Sequence, residues 1–239
     1  MINTLAQIDR LASAGRTPWH RASALSKLLL AAGLVLLSVF APSLLLLAGL
    51  YAVAWTLALT ARLPWRLTLV ASGYPVAFTL LFVLARWDGT VEMPVLLLLR
   101  PLTASLAAVW LVGTTPYPDL FAPLSRLLPR SVGDGFFLTY RALFELMRRT
   151  SGLWRALRLR GGAGGPVRRR LTLAGGGLAT IVLYGFERSE RLYATMRLRG
   201  HSGRICGCRH FAEGSRADLL VAATGLIVLV GAALLWRMP

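Results

Sequence analysis

Residues 28–60, LLLAAGLVLLSVFAPSLLLLAGLYAVAWTLALT, decide the fold. No charged side chain interrupts them, and the run is longer than the roughly 20 apolar residues that one bilayer crossing needs. Its one break is Ala41-Pro42-Ser43, where the proline lacks a backbone donor and bars the helix from continuing. The run therefore reads as two membrane helices turning at Pro42. Working outward, the second helix stops at Arg62-Leu63-Pro64-Trp65-Arg66. A third apolar stretch covers Leu67 to Ala85, a fourth Pro94 to about Gly113, and a fifth Leu219 to Trp236. Composition agrees, with 56% hydrophobic residues and 15% charged ones, against about 25% charged in soluble domains. The fold expected is all-α: a polytopic membrane protein of about five transmembrane helices plus long cytoplasmic helices.

Orientation follows from the basic residues. The formal net charge is +17 and Lys27 is the only lysine, so the surplus is almost wholly arginine. Arg10, Arg16, Arg21 and Lys27 precede the first apolar run, and Arg62 and Arg66 lie between the second and third. Positively charged flanks stay in the cytoplasm, which places the N-terminus inside and turns Pro42 and the Arg86–Glu92 connection outward. Charges ahead of the first run, with no small-residue cleavage pattern after it, argue against a cleavable signal. Residues 117–217 then lie inside, carrying 18 of the 27 basic residues and 6 of the 10 acidic ones. The expected organisation is a membrane domain at 1–116, a cytoplasmic domain at 117–217 and a C-terminal transmembrane helix at 218–239. Membrane lipid is the natural partner for such a basic face.

The charge-free run Leu171 to Phe186 is 16 residues long. A crossing there would export Arg188, Arg191, Arg197 and Arg199, so it reads as a helix lying under the bilayer or packed on its neighbours. It belongs to the second of two long helices. The first is predicted from about Asp134 to Arg160, with Phe137, Tyr140, Phe144, Met147 and Trp154 at helical spacing. The second is predicted from about Val167 to Arg199. They end alike, in Leu157-Arg158-Leu159-Arg160-Gly161 and Met196-Arg197-Leu198-Arg199-Gly200. Glycine past a helix end supplies a left-handed cap and arginine in the last turn complements the dipole, which explains one such ending. Two copies suggest paired docking points for a twofold partner.

Other residues give weaker signals. Glu187 and Arg191 are an i, i+4 surface pair, and Asp119 belongs to a helix start. Arg100 would be costly facing lipid, so it either snorkels outward or faces a subunit interface. His201, Cys206, Cys208 and His210 have zinc-like ligand chemistry, but Cys-Gly-Cys is too tight for a structural zinc knuckle, and no metal or other cofactor is expected. The lone lysine has no glycine in the six residues before it, which rules out a phosphate-binding loop of the Gly-x4-Gly-Lys-Ser/Thr type. Neither a zinc-protease motif nor a nucleophile elbow occurs, so catalysis is not expected. Aromatics in the basic helices follow the apolar stripe and do not interleave with arginines, which disfavours nucleic acid.

The chain resembles the transmembrane T components of energy-coupling-factor transporters, in the cobalt-transport, CbiQ-like branch. The resemblance runs from Ile8-Asp9-Arg10 and Ser13 to Lys27, where Thr17-Pro18-Trp19-His20-Arg21 is similar to the family's Ser-Pro-x-His-Arg. It continues through Leu99-Arg100, Thr114-Thr115-Pro116 with Asp119-Leu120, Leu128-Pro129-Arg130, Leu138-Thr139-Tyr140-Arg141 and Phe186-Glu187-Arg188-Ser189-Glu190-Arg191. The two helix endings resemble the family's paired Ala-Arg-Gly motifs, with Leu159 and Leu198 in place of alanine. The resemblance implies a non-catalytic subunit in the bacterial inner membrane, joining two ATPase subunits to a substrate-binding membrane subunit. Docking would fall to Arg158, Arg160, Gly161, Arg197, Arg199 and Gly200, with Tyr140, Arg141, Glu187 and Arg191 supporting the coupling helices. Cobalt is the implied cargo, and nickel or a vitamin are the alternatives. A competing reading of another class is a membrane enzyme acting on lipid headgroups.

Overall fold

The computed structural model describes residues 2–85, 92–161, 164, 166–201 and 215–236. Among them the helices are α1 (Ile2–Ala14), α2 (Pro18–Arg21), α3 (Ala24–Phe40), α4 (Leu44–Thr60), α5 (Trp65–Ala85), α6 (Glu92–Thr114), α7 (Tyr117–Leu127), α8 (Arg130–Leu159), α9 (Val167–Leu198) and α10 (Arg216–Trp236). All five apolar stretches of the sequence are helical. Three of them, α5, α6 and α10, are long and apolar enough to cross a membrane, while α3 and α4 are shorter at 17 residues each. At 1.5 Å per residue those two reach about 25 Å, a little under the roughly 30 Å hydrocarbon layer. The apolar run at 171–186 lies inside α9, which is not among the three.

The chain divides into two compact units, Met1–Pro123 with Arg209–Pro239, and Leu124–Cys208. In the first, α6 is central and packs against α1, α3, α4 and α5, while α10 lies on α3 and α4. Buried positions recur at helical spacing: Leu46, Leu47, Leu50, Ala54, Leu57 and Ala58 on α4, and Thr103, Leu106, Ala107, Trp110 and Thr114 on α6. Trp110 is fully enclosed and meets Trp19 edge to face, with ring centroids 5.8 Å apart. The opposite faces expose Leu45, Val70, Phe82, Leu84, Leu219 and Ile227. An apolar exterior around a packed interior is what a lipid solvent selects.

Polar groups inside this unit attach where backbone has lost its helical partner. Pro42 ends α3, and Arg100 donates through Nη2 to the stranded Ala41 carbonyl at 3.0 Å. Arg100 is thus half-buried and tied to backbone within its own unit. Pro75 sits inside α5 and cannot donate to the Ala71 carbonyl, which instead accepts from Ser105 Oγ on α6 at 3.3 Å. Lys27, 1% exposed, donates Nζ to the Thr114 carbonyl at the end of α6, 3.1 Å away. Asp218 at the start of α10 accepts through Oδ1 from Ser23 N and Ser26 Oγ, each at 2.7 Å, and through Oδ2 from Ser215 N at 2.8 Å. One carboxylate thereby caps α10 and satisfies a free donor at the head of α3.

The α4–α5 turn is also a helix cap. Leu63 N donates to Ala58 O at 3.3 Å and Arg62 N to Leu59 O at 3.0 Å, with Arg62 at φ 55°. Arginine fills a left-handed position that glycine ordinarily takes, at a cost of roughly 1–2 kcal/mol.

In the second unit α8 begins at Arg130, four residues before the predicted Asp134. The Pro129 carbonyl accepts from Val132 N at 2.9 Å and Gly133 N at 3.1 Å, so the proline, whose fixed φ suits a helix entrance, opens the helix. Helices α8 and α9 pack on each other at buried Gly177, where an added Cβ would lie 3.2 Å from Leu153 Cδ2 and 3.4 Å from Leu157 Cδ1. Helix α9 runs unbroken through Gly175-Gly176-Gly177. Gly176 is exposed with open space around its Cβ position. Gly176→Ala should therefore stabilise the second unit by about 0.5–1 kcal/mol, as helix propensity dictates. Gly177→Leu should destabilise it by about 1–3 kcal/mol by forcing the helices apart. Urea unfolding followed by hydrogen exchange of α8 and α9 amides measures both, and equal effects would remove the special role of Gly177.

Candidate partner-docking site

The two arginine-glycine endings share one backbone geometry. At the end of α8, Arg160 N donates to Ala156 O at 3.1 Å and Gly161 N to Arg158 O at 3.1 Å, with Gly161 at φ +74°. At the end of α9, Gly200 N donates to Arg197 O and His201 N to Met196 O, both at 3.0 Å, with Gly200 at φ +73°. These are left-handed glycine caps, and a Cβ at either position would strain the backbone. Capping accounts for Gly161 and Gly200, but it does not explain the side chains beside them. Leu159 is 84% exposed and Leu198 89%, each flanked by exposed arginines: Arg158 and Arg160, Arg197 and Arg199. Among the described residues no carboxylate lies within 4.0 Å of these four guanidinium groups; Arg197 has an aromatic neighbour, 5.9 Å from the Tyr193 ring centroid. Each ending thus presents a bare leucine between fixed cations.

The two endings lie at opposite ends of an antiparallel helix pair. Residues 161–166 link the end of α8 to the start of α9. The far end of α9, with Leu192, Tyr193 and Met196, lies across a groove from Leu138, Arg141 and Ala142 near the start of α8. A helix of 32 residues spans about 48 Å, which sets the scale of the separation between the tips.

The predicted supporting residues divide between the faces. Arg141 lines that groove with Glu145 and Arg188, and Tyr140 meets Phe144 edge to face at 5.0 Å. Glu187 and Arg191 form an exposed pair at 3.2 Å on one helix and join nothing across the hairpin. A cross-helix link is made by Glu145, Arg149 and Tyr184, which the sequence reading did not single out. Tyr184 Oη donates to Glu145 Oε1 at 3.4 Å, and the Arg149 guanidinium stands 4.4 Å from the Tyr184 ring centroid. Only the i, i+4 spacing of Glu145 and Arg149 hinted at it, and nothing in the sequence named Tyr184 as the partner. His201 is half-buried behind the second cap, whereas Cys206, Cys208 and His210 lie outside the described residues.

An envelope of apolar helices, three of them able to cross a bilayer, together with a basic helical hairpin defines a polytopic α-helical membrane protein. Within that class, residues 15–206 match the family model of the cobalt transport protein CbiQ, and the chain belongs to that family. It is a membrane component of a transport system. Among curated proteins none matches the chain.

The stacked contact yields a test. Arg149→Ala should loosen the hairpin by about 0.5–1 kcal/mol, the range for an exposed cation–aromatic pair. In a double-mutant cycle with Tyr184→Leu, hydrogen exchange should reveal positive coupling of that size. Strict additivity would mean that the ring and the guanidinium contribute independently.

Proposed function

We propose that the chain is the transmembrane coupling subunit of an energy-coupling-factor importer for cobalt. In this reading it joins two ATPase subunits to a substrate-binding membrane subunit, in the bacterial inner membrane with its N-terminus in the cytoplasm. The observation that carries the reading is the pair of tips. Each is a glycine-capped helix end with an exposed leucine between two arginines that have no acidic partner among the described residues. They stand at opposite ends of one antiparallel pair. Two equivalent cationic tips separated by most of the length of a 32-residue helix suit two copies of one partner better than a single compact ligand. The guanidinium group is planar and permanently charged, so it pairs bidentately with carboxylates in a groove of the partner, and the exposed leucine supplies the apolar anchor. A long helix transmits a push on its tip as a lever. Arg158, Arg160, Gly161, Arg197, Arg199 and Gly200 form the docking set, and Tyr140, Arg141, Glu187 and Arg191 support it.

Family membership agrees with transport of cobalt. The arginine-rich flanks of the apolar helices favour the hairpin on the cytoplasmic side, where ATPases work.

Arg160→Ala and Arg199→Ala should each weaken capture of the ATPases by about 2–5 kcal/mol if the contact is buried, and the double variant should nearly abolish cobalt uptake. Glycine caps remain in both, so membrane levels should match the wild type. Pull-down of ATPase subunits and uptake of labelled cobalt, with membrane abundance measured in parallel, make the test. Normal uptake by the double variant would refute docking at these tips.

A further inference from the structure

A second arginine site lies in the first unit. Cavities of about 290 to 620 Å³ line the hairpin, and another of about 450 Å³ lies beside the α4–α5 turn. Its lining includes Arg16, Thr17, His20, Thr60, Arg62 and Leu63, and no carboxylate. Three described helix ends in this protein carry a left-handed residue at the same cap position: Gly161, Gly200 and Arg62. The first two are glycines. At the third the chain holds an arginine in a conformation that arginine disfavours, and the side chain so placed borders the cavity. A strained backbone retained beside a polar cavity is an observation from which function can be argued.

The surroundings define the ligand. Helix α4 ends at Thr60 and α5 begins at Trp65, so the cavity opens where two apolar helices leave the hydrocarbon. Trp65 is exposed and Arg66 lies 5.3 Å from its ring centroid, a pairing of aromatic and cation suited to the headgroup level. A cavity at the end of two apolar helices, beside such a pair, is within reach of lipid headgroups. His20 is packed against Gly15, where a Cβ would overlap the imidazole, and it bonds Thr17 Oγ1 through Nδ1 at 2.6 Å. Burial, followed by the charge on Lys27, holds His20 below its usual range, so the positive charge of the cavity at pH 7 is that of the arginines.

We propose that this cavity seats the phosphate of an anionic phospholipid, held by Arg16 and Arg62, with Thr17 as a hydroxyl donor and Leu63 against the glycerol backbone. Two guanidinium groups supply paired donors to phosphate oxygens, which a zwitterionic headgroup satisfies less well because its own cation competes. The site is independent of the coupling role.

The test uses the full chain purified in a neutral detergent, titrated with phosphatidylglycerol, phosphatidylcholine or inorganic phosphate, and read by native mass spectrometry and thermal shift. Phosphatidylglycerol should bind and raise the melting temperature, and phosphatidylcholine and inorganic phosphate should do neither. Arg62→Gly should bind phosphatidylglycerol about tenfold more weakly, the scale of one lost charge-assisted contact. Its lipid-free melting temperature should equal or exceed that of the wild type, since glycine suits the left-handed turn. Arg62→Lys should keep part of the affinity. Unchanged phosphatidylglycerol affinity in Arg62→Gly would overturn the proposal. So would equal stabilisation by inorganic phosphate, which would make the cavity a free-anion site.

Discussion

Within a hydrocarbon solvent a backbone group that loses its helical partner must find another inside the protein, and the first unit is organised around that constraint. Four helix interruptions or ends each receive a side chain from elsewhere. Arg100 serves the Ala41 carbonyl left by the Pro42 break, Ser105 serves the Ala71 carbonyl left by Pro75, Lys27 serves Thr114 at the end of α6, and Asp218 serves Ser23 at the head of α3. Each link crosses between helices, so satisfying the backbone also fixes which helices are neighbours. The apolar stripes of α4 and α6 supply contact area, but many rotations and slides of smooth helices bury similar area. The polar links discriminate among them.

The second unit obeys a different balance. Helices α8 and α9 approach closely at Gly177 and share the Glu145, Arg149 and Tyr184 cluster, while Trp154, Leu171, Leu178, Val182, Leu183 and Phe186 stay exposed. Large apolar side chains left uncovered on this scale mark an interaction surface. Such a unit is in keeping with a part that functions inside a complex, as the proposed coupling role requires.

The caps connect local and functional levels. Gly161 and Gly200 reverse the chain without strain, which lets each helix stop abruptly with Leu159 or Leu198 standing free. Arg62 makes the same turn against its conformational preference. The contrast separates two uses of one backbone motif. At the hairpin ends glycine makes the turn and arginines precede it, whereas at the α4–α5 turn the arginine is itself the turning residue and its side chain is delivered to a cavity.

Much of this was legible beforehand, for reasons that are local. Apolar length and Pro42 announced α3 and α4, and glycine after an arginine-rich last turn announced both hairpin ends, because helix formation and capping depend on residues within a turn of each other. The start of α8 misled: Asp134 looked like an entrance, yet Pro129 had already opened the helix and Gly133 packs so tightly on Ser125 that a Cβ there would lie 2.8 Å from Ser125 Cβ. Arg100 could be recognised as costly in lipid, but not as the partner of Ala41, 59 residues away. By itself the sequence determined which segments are helices, which of them are apolar and where they end. Tertiary structure alone decided that Lys27 meets Thr114, that Asp218 meets Ser23 and that Tyr184 joins Glu145 and Arg149, because periodicity gives the face a side chain occupies and only packing in three dimensions chooses what lies opposite it.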